Sequence, residues 1–198
     1  MKPYDSTKKR REALVHLLTD PSEEVRIAAA EALERLEGIG SLYEILDMLA
    51  KGDRGTKIKA LYALGKIGGE EVLRVLVYCA SRPEEDIKAV AVEILGNLAY
   101  PSLIPVLLDR LKDPNPGIRA KAIAALGNFK DSSLVGELLP FLDAGDGLLD
   151  AEAVGALAQI GDGSLEVRFI ELLRSPHPRT REAAALALGE LRVTPADS

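Results

Sequence analysis

Six leucines stand 31 residues apart: Leu33, Leu64, Leu95, Leu126, Leu157 and Leu188. A gapless period of this length confines the chain to one structural unit, copied and stacked, each copy burying its apolar side against the next. The neighbours keep the same register. Four residues before each leucine stands an alanine: Ala29, Ala60, Ala91, Ala122, Ala153 and Ala184. One residue before it come Ala32, Ala63, Ile94, Ala125, Ala156 and Ala187, and three after it Leu36, Ile67, Leu98, Phe129, Ile160 and Leu191. Small or apolar residues at −4, −3, −1, 0 and +3 share one face of a 3.6-residue helix. Alanine at a repeated contact lets two helix backbones come close.

A second helix precedes each of these. Its stripe reads Leu42, Ile45, Leu46 and Leu49 in the second copy. The next copies read Leu73, Leu76, Val77 and Ala80, then Ile104, Leu107, Leu108 and Leu111, then Val135, Leu138, Leu139 and Leu142. The spacing i, i+3, i+4, i+7 belongs to an amphipathic helix. The first copy keeps Leu14, Val15 and Leu18 but has Arg11 at the leading position, which suits a helix with nothing stacked in front of it.

The connecting turns agree. Pro21, Gly52, Pro83, Pro114, Gly145 and Pro176 are followed by Ser22, Asp53, Glu84, Asn115, Asp146 and His177 in an N-cap slot. Ser, Asp and Asn there accept an orphan amide at the helix start. Pro116 and Pro178 occupy the first helical position, and Gly38, Gly68 and Gly161 are placed to end helices. No strand signal occurs. The pattern predicts helices over Ser6–Thr19, Ser22–Glu37, Ser41–Ala50, Asp53–Ile67, Glu70–Ser81 and Glu84–Leu98. It predicts six more over Pro101–Lys112, Asn115–Phe129, Ser132–Leu142, Gly147–Ile160, Ser164–Arg174 and Pro178–Arg192.

Segments such as "DPSEEVRIAAAEALERL", "DPNPGIRAKAIAALGNF" and "RTREAAALALGEL", each after a helix like "SLIPVLLDRLKD", resemble HEAT repeats, and more narrowly the short 31-residue HEAT-like repeats of phycobilisome lyases. The resemblance runs from about Tyr4 to Val193. It implies an all-α, right-handed α-solenoid of six two-helix repeats, about 3–38, 39–69, 70–100, 101–131, 132–162 and 163–193, in a single domain over residues 1–198. It also implies an armadillo-like superhelix whose second helices line a concave face.

Composition narrows the function. Apolar residues make up 47% of the chain but aromatics only 4%, with no Trp, as suits thin layers of Leu, Ile, Val and Ala. The net charge of −6 argues against a nucleic-acid backbone as partner. The basic run Lys8-Lys9-Arg10-Arg11 reads as a solvated helix face. No apolar stretch is long enough to span a membrane and no signal peptide is evident, so a cytoplasmic location is expected. Cys79, the single cysteine, excludes an internal disulfide and falls at a core position. His16 and His177 are far apart, no His-Glu dipeptide or Cys/His cluster occurs, and the glycine-rich stretches are inter-helix turns. The sequence offers no catalytic residue, metal site or cofactor site.

Two surfaces remain. Seven residues before the leucines stand Arg26, Lys57, Lys88, Arg119, Asp150 and Arg181. This basic row is expected to pair with acidic residues of neighbouring turns, such as Asp20 and Asp113, with Asp150 interrupting it. The other surface is the second-helix face that packing does not claim, at −9, −6, −5, −2 and +2. There the residues change from copy to copy, and the expected binding face for a protein or peptide comprises Ile58, Lys59, Tyr62, Lys66, Val90, Glu93, Asn97, Lys121 and Asn128. Apolar Ile58, Tyr62 and Val90 among charges follow the pattern of an interface. The expected function is a non-catalytic protein-interaction scaffold. The resemblance alone suggests the alternative of a bilin lyase-like or chaperone-like factor, with a nucleic-acid-binding array ranking below it.

Overall fold

All six alanines at −4 are buried, none more than 2% exposed, and Leu64, Leu95, Leu126 and Leu157 are 0% exposed, with Leu33 at 8%. The repeated pattern is therefore the core. In a computed structural model, residues 3–161 and 163–191 are described, and the chain divides into two compact units, Met1–Leu64 and Gly65–Ser198. No strand occurs among the described residues.

The first unit contains α1 (Pro3–Leu17), α2 (Glu23–Lys51) and most of α3 (Arg54–Ile67). α1 packs on α2. Ser22 caps α2 by accepting the Val25 amide, while Glu23 and Glu24 near its start and Lys51 at its end complement the helix dipole. Asp53 Oδ1 accepts the Thr56 amide at 2.7 Å as α3 begins, and Ala60 and Leu61 close its buried side with Leu64. The two helices predicted over Ser22–Glu37 and Ser41–Ala50 are one, so Gly38 ends nothing. The reason lies in the register. The later repeats turn on a left-handed residue four places after the leucine: Gly68, Ala99, Lys130 and Gly161, with φ of 65°, 49°, 52° and 80°. In the first copy that place belongs to Glu37, and Gly38 falls one residue too late.

The second unit is a two-layer stack. Its helices are α4 (Glu70–Cys79), α5 (Glu85–Leu98), α6 (Ile104–Arg110), α7 (Pro116–Gly127), α8 (Val135–Leu138), α9 (Leu149–Ile160), α10 (Glu166–Leu172) and α11 (Pro178–Glu190). The second helices α5, α7, α9 and α11 pack on one another in succession, while α4, α6, α8 and α10 each cover the helix that follows. All four of these covering α-helices are shorter than predicted, α4 by its last two residues. Ser132–Leu142 in particular is broken into a 3-10 turn, the single helical turn α8 and a further 3-10 stretch, Leu139–Asp143. Pro140 has no amide to donate and ends the α-helical bonding there. The 3-10 turns Pro101–Leu103 and Gly163–Leu165 likewise precede α6 and α10.

Two details differ from the predicted helix face. The +3 residues are not core: Ile67 is 47% exposed, and Leu98, Phe129 and Ile160 are half-buried. The residues eight before the leucines are core instead, with Ile87, Ile118, Leu149 and Thr180 at 6% exposure or less. The cause is the tightness of the stack. One residue after the leucine stand Gly65, Gly96 and Gly127. A Cβ on Gly65 would lie 2.7 Å from Ile94 Cγ2, on Gly96 2.3 Å from Ala125 Cβ and 2.6 Å from its Cα, and on Gly127 2.7 Å from Ala156 Cα. Each glycine thus receives the −1 residue of the next repeat. Gly189, in the last copy, has nothing within 4 Å.

This contact reverses the usual effect of glycine in a helix. Glycine costs about 1 kcal/mol relative to alanine in a helix interior, so Gly155→Ala, where an added Cβ meets nothing within 4 Å, should raise stability by about that amount. Gly96→Ala should instead lower it by ~1–3 kcal/mol, because backbone rather than a side-chain tip must give way. Leu95→Ala should cost ~2–5 kcal/mol. Urea denaturation of the three variants checks the order, and a Gly96→Ala chain as stable as the wild type would show that the helices are not held at this distance.

Candidate functional site

The basic row is absorbed by the frame. Arg26 Nη1 donates to the carbonyls of Asp20 and Pro21 at 2.7 and 3.1 Å, Arg119 Nη1 to those of Asp113 and Pro114 at 2.9 and 3.1 Å, and Arg181 Nη1 to those of Ser175 and Pro176 at 2.8 and 3.0 Å. The expected partners, the carboxylates of Asp20 and Asp113, are engaged elsewhere: each accepts the amide two residues on, Ser22 and Asn115, at 2.9 and 3.0 Å. One guanidinium nitrogen donates to both carbonyls left over where the chain turns, which a carboxylate cannot satisfy.

Lys88 behaves as expected but one repeat further along. Its Nζ donates to Asp113 Oδ2 at 2.8 Å across the α5–α7 boundary, with side-chain exposures of 11% and 2%. Arg110 stands 3.7 Å from the same oxygen. Burial works against the Asp113 charge, but hydrogen bonds from Lys88 and the Asn115 amide, with the charges of Lys88 and Arg110, outweigh it and hold its carboxyl below the ordinary range. Asp150, in the basic slot of the fifth repeat, is buried and accepts the Ala151 amide. Ser22, Asp53 and Asn115 cap helices as expected. Asp146 and His177 do not: Leu148 is the N-cap of α9, and Asp146 accepts the Leu148 and Leu149 amides from the turn before it. His177 Nε2 lies 2.9 Å from the Gly145 carbonyl, joining two repeats.

The second-helix face is differently disposed. In the first unit Lys59 and Tyr62 are exposed, Tyr62 at 43%, and Ile58 is half-buried. In the second unit Lys66 is exposed and Val90 half-buried, so Ile58 and Val90 are less open than the sequence suggested. Four of the expected residues are brought together across α5 and α7. Lys121 Nζ donates to Glu93 at 2.6 Å, and Asn128 Nδ2 donates to the Gly96 carbonyl at 3.2 Å and to Asn97 Oδ1 at 3.5 Å. The strip continues beyond them. Arg179 approaches Glu152 at 3.8 Å between α11 and α9, Gln159 is exposed, and Leu186 is apolar and 62% exposed. Glu152, Gln159, Arg179 and Leu186 occupy −5, +2, −9 and −2, so the register that marked the others marks them too.

No group of three metal-ligating side chains occurs among the described residues. Cys79 is buried, and burial pushes its thiol up, against a smaller opposing effect of Arg82. What the face offers is hydrogen-bonding amides, paired charges and one exposed leucine on a rigid support. No described helix is long and apolar enough to cross a membrane.

A family model of HEAT repeats matches residues 11–87, 74–143 and 135–198. No curated protein is matched by this chain. Among solved structures, the complex of CpcE and CpcF of phycocyanin lyase from Nostoc sp. PCC7120 is similar with a TM-score of 0.64 and 23% identity, covering 78% of this chain and 66% of that one. An engineered protein is similar at 0.55 and 22% identity over 91% and 96% of the two chains. A designed armadillo repeat protein gives 0.50 and 19% over 91% and 99%. At these identities the likeness is one of fold.

The Lys88–Asp113 pair has an acid signature. A carboxyl held low in the folded state stabilises it above its unfolded value of about 3.9, and that contribution disappears as pH falls through the lower folded value. Asp113→Asn should therefore be less stable than the wild type at neutral pH, with the gap narrowing below about pH 4. A gap in urea midpoints that stays constant with pH would contradict the pairing.

Proposed function

The chain belongs to the HEAT-repeat family, and from that premise we propose that it is a non-catalytic scaffold that holds a protein or peptide on the second-helix face of its second unit. The observation that carries this reading is the contrast between two sets of positions in one helix series. The residues at −4 are alanine and buried in every copy. Those at −5, −2 and +2 change with each copy and reach solvent to varying degrees: Val90, Glu93 and Asn97, then Lys121, Ala124 and Asn128, then Glu152, Gly155 and Gln159, then Ala183, Leu186 and Glu190. A constant frame with a varied face is how a repeat protein presents a recognition surface. Here the face combines Leu186 as apolar area with charged and amide side chains, the composition of a binding interface.

Within this reading Glu93 and Lys121 orient the partner, Asn97 and Asn128 supply hydrogen bonds, and Val90 and Leu186 supply apolar area. The first unit, taken by itself, carries a separate candidate contact: Tyr62, exposed, with Ile58 and Lys59 on the same helix. Lys66 lies beyond Leu64, on the last turn of α3.

A photo-crosslinking residue placed at Val90, Gly155 or Leu186 should trap a discrete host protein, and one at Tyr78 or Val167, exposed on the covering helices α4 and α10, should not. Once that protein is in hand, Leu186→Asp should weaken it by ~2 kcal/mol while leaving the melting curve unchanged. Lys121→Glu should mainly slow association and change its salt dependence. Crosslinks obtained only from the covering helices would overturn the choice of face. A shifted absorption band on mixing with a bilin would point to a chromophore factor instead.

A further inference from the structure

The last repeat ends on a surface that earlier repeats keep covered. Leu111 and Leu142 are buried, but Leu173, in the same place after α10, is 39% exposed. At −3, Ile123 and Val154 are buried and Ala185 is exposed. At 0, Leu126 and Leu157 are buried and Leu188 is only half-buried. Beside Gly189 the space that is filled at Gly65, Gly96 and Gly127 is empty. In the earlier copies the next second helix covers these places, whereas α11 packs on α9 and α10 with its other sides. A terminal repeat normally turns a polar face outward. This one keeps the apolar residues of an internal repeat.

We infer that this end face pairs with the same face of a second copy of the chain about a two-fold axis, the two α11 helices running antiparallel. The contact continues the stack that joins α9 to α11, but a further layer in the same register does not suit it. At −6 the three preceding copies have Ala89, Ala120 and Ala151, buried or half-buried, and the last has Glu182. A layer in register would cover that carboxylate, which is costly without a partner. In a two-fold contact, residue i of one copy faces j of the other and j faces i. Arg181 and Glu190 lie towards opposite ends of α11. Pairing each with the other across the axis sets the axis beside Ala185, where a small side chain lets the helices come close. The same register puts Glu182 opposite Gly189, where no Cβ stands in its way.

The charges at the rim fit the same arrangement. Arg174 and Arg181 are exposed where α11 begins, and Glu190 is exposed where it ends. In earlier copies these places reach the next repeat. Asp143, equivalent to Arg174, pairs with Arg168; Lys88, equivalent to Arg181, pairs with Asp113; and Asn97, equivalent to Glu190, touches Asn128. Arg181 uses Nη1 for the turn carbonyls, and a guanidinium has further donors. Antiparallel pairing gives each end two arginines and two carboxylates, whereas a parallel one sets arginine against arginine. The size of the face sets the strength. α11 has 13 residues, so it is roughly 20 Å long, and with α10 beside it the face covers on the order of 400 Å². That is about half of what one partner contributes to a standard interface, so the dimer is weak and reversible, on the order of micromolar or above.

The test is analytical ultracentrifugation of the full chain from about 1 to 500 µM. The average mass should rise with concentration from one chain toward two and stop there. Ala185→Arg, at an exposed site, should weaken association at least tenfold without moving the melting temperature. Glu190→Arg and Arg174→Glu should each weaken it about three- to tenfold, since each leaves an excess of one sign at both ends. An equimolar mixture of these two variants should recover the wild-type association, because unlike copies restore two charges of each sign at either end. Misfolding of a variant would not be repaired by mixing. A chain that stays monomeric, association that survives Ala185→Arg, or a mixture no better than its components would overturn the inference. Growth beyond two chains would show a head-to-tail contact and overturn the two-fold pairing.

Discussion

The approach of one second helix to the next depends on a glycine. At Gly96 there is no space for a methyl group, since a Cβ there would fall within 2.3 Å of Ala125. With glycine on one side and a small residue on the other, the helices close until their backbones define the spacing. The buried alanines at −4 and leucines at 0 fill what space is left. The rest follows from that distance. It brings Lys88 to Asp113 in the turn before α7, Lys121 to Glu93 and Asn128 to the Gly96 carbonyl, three contacts between two successive repeats. The −8 residues become core for the same reason, and the +3 residues, at the end of the helix where the chain turns away, do not.

The turns are held by groups that depend on this register. A left-handed residue ends the second helix in four consecutive copies, twice as glycine and twice as Ala99 and Lys130. A left-handed L-residue costs roughly 1–2 kcal/mol, so those two turns are imposed by packing rather than preferred locally. At the other end, Arg26, Arg119 and Arg181 each bind the two carbonyls of the preceding turn in the same way. Arg26, Lys88, Arg119 and Arg181 of the basic row thus serve the frame.

Much of this was legible in the sequence. The 31-residue register located the core leucines and alanines and three N-caps, because each depends on spacing within one helix. What was not legible depended on contacts between copies. The glycines at +1 have no helical signature of their own, and only the neighbouring backbone explains them. The fusion of two predicted helices into α2 turned on whether Gly38 or Glu37 held the left-handed place, a difference of one residue. Pro140 did announce the break in the covering helix of the fifth repeat, and the apolar stripe Val135, Leu138, Leu139, Leu142 masked it. Of the expected site, Glu93, Asn97, Lys121 and Asn128 are brought together, while Ile58 and Val90 are partly covered by the stacking that the apolar pattern could not resolve.

The central claim is that the fold leaves one face of α5, α7, α9 and α11 for a partner while the covering helices only support it. Carbodiimide labelling of carboxylates, read by mass spectrometry with and without the crosslinked partner, compares the two faces in one experiment. Glu93, Glu152, Glu182 and Glu190 should be protected by the partner, and Glu137, Glu166 and Glu171, exposed on the covering helices, should label at the same rate in both states. Protection of Glu137, Glu166 and Glu171 with unchanged labelling of the other four would contradict the account.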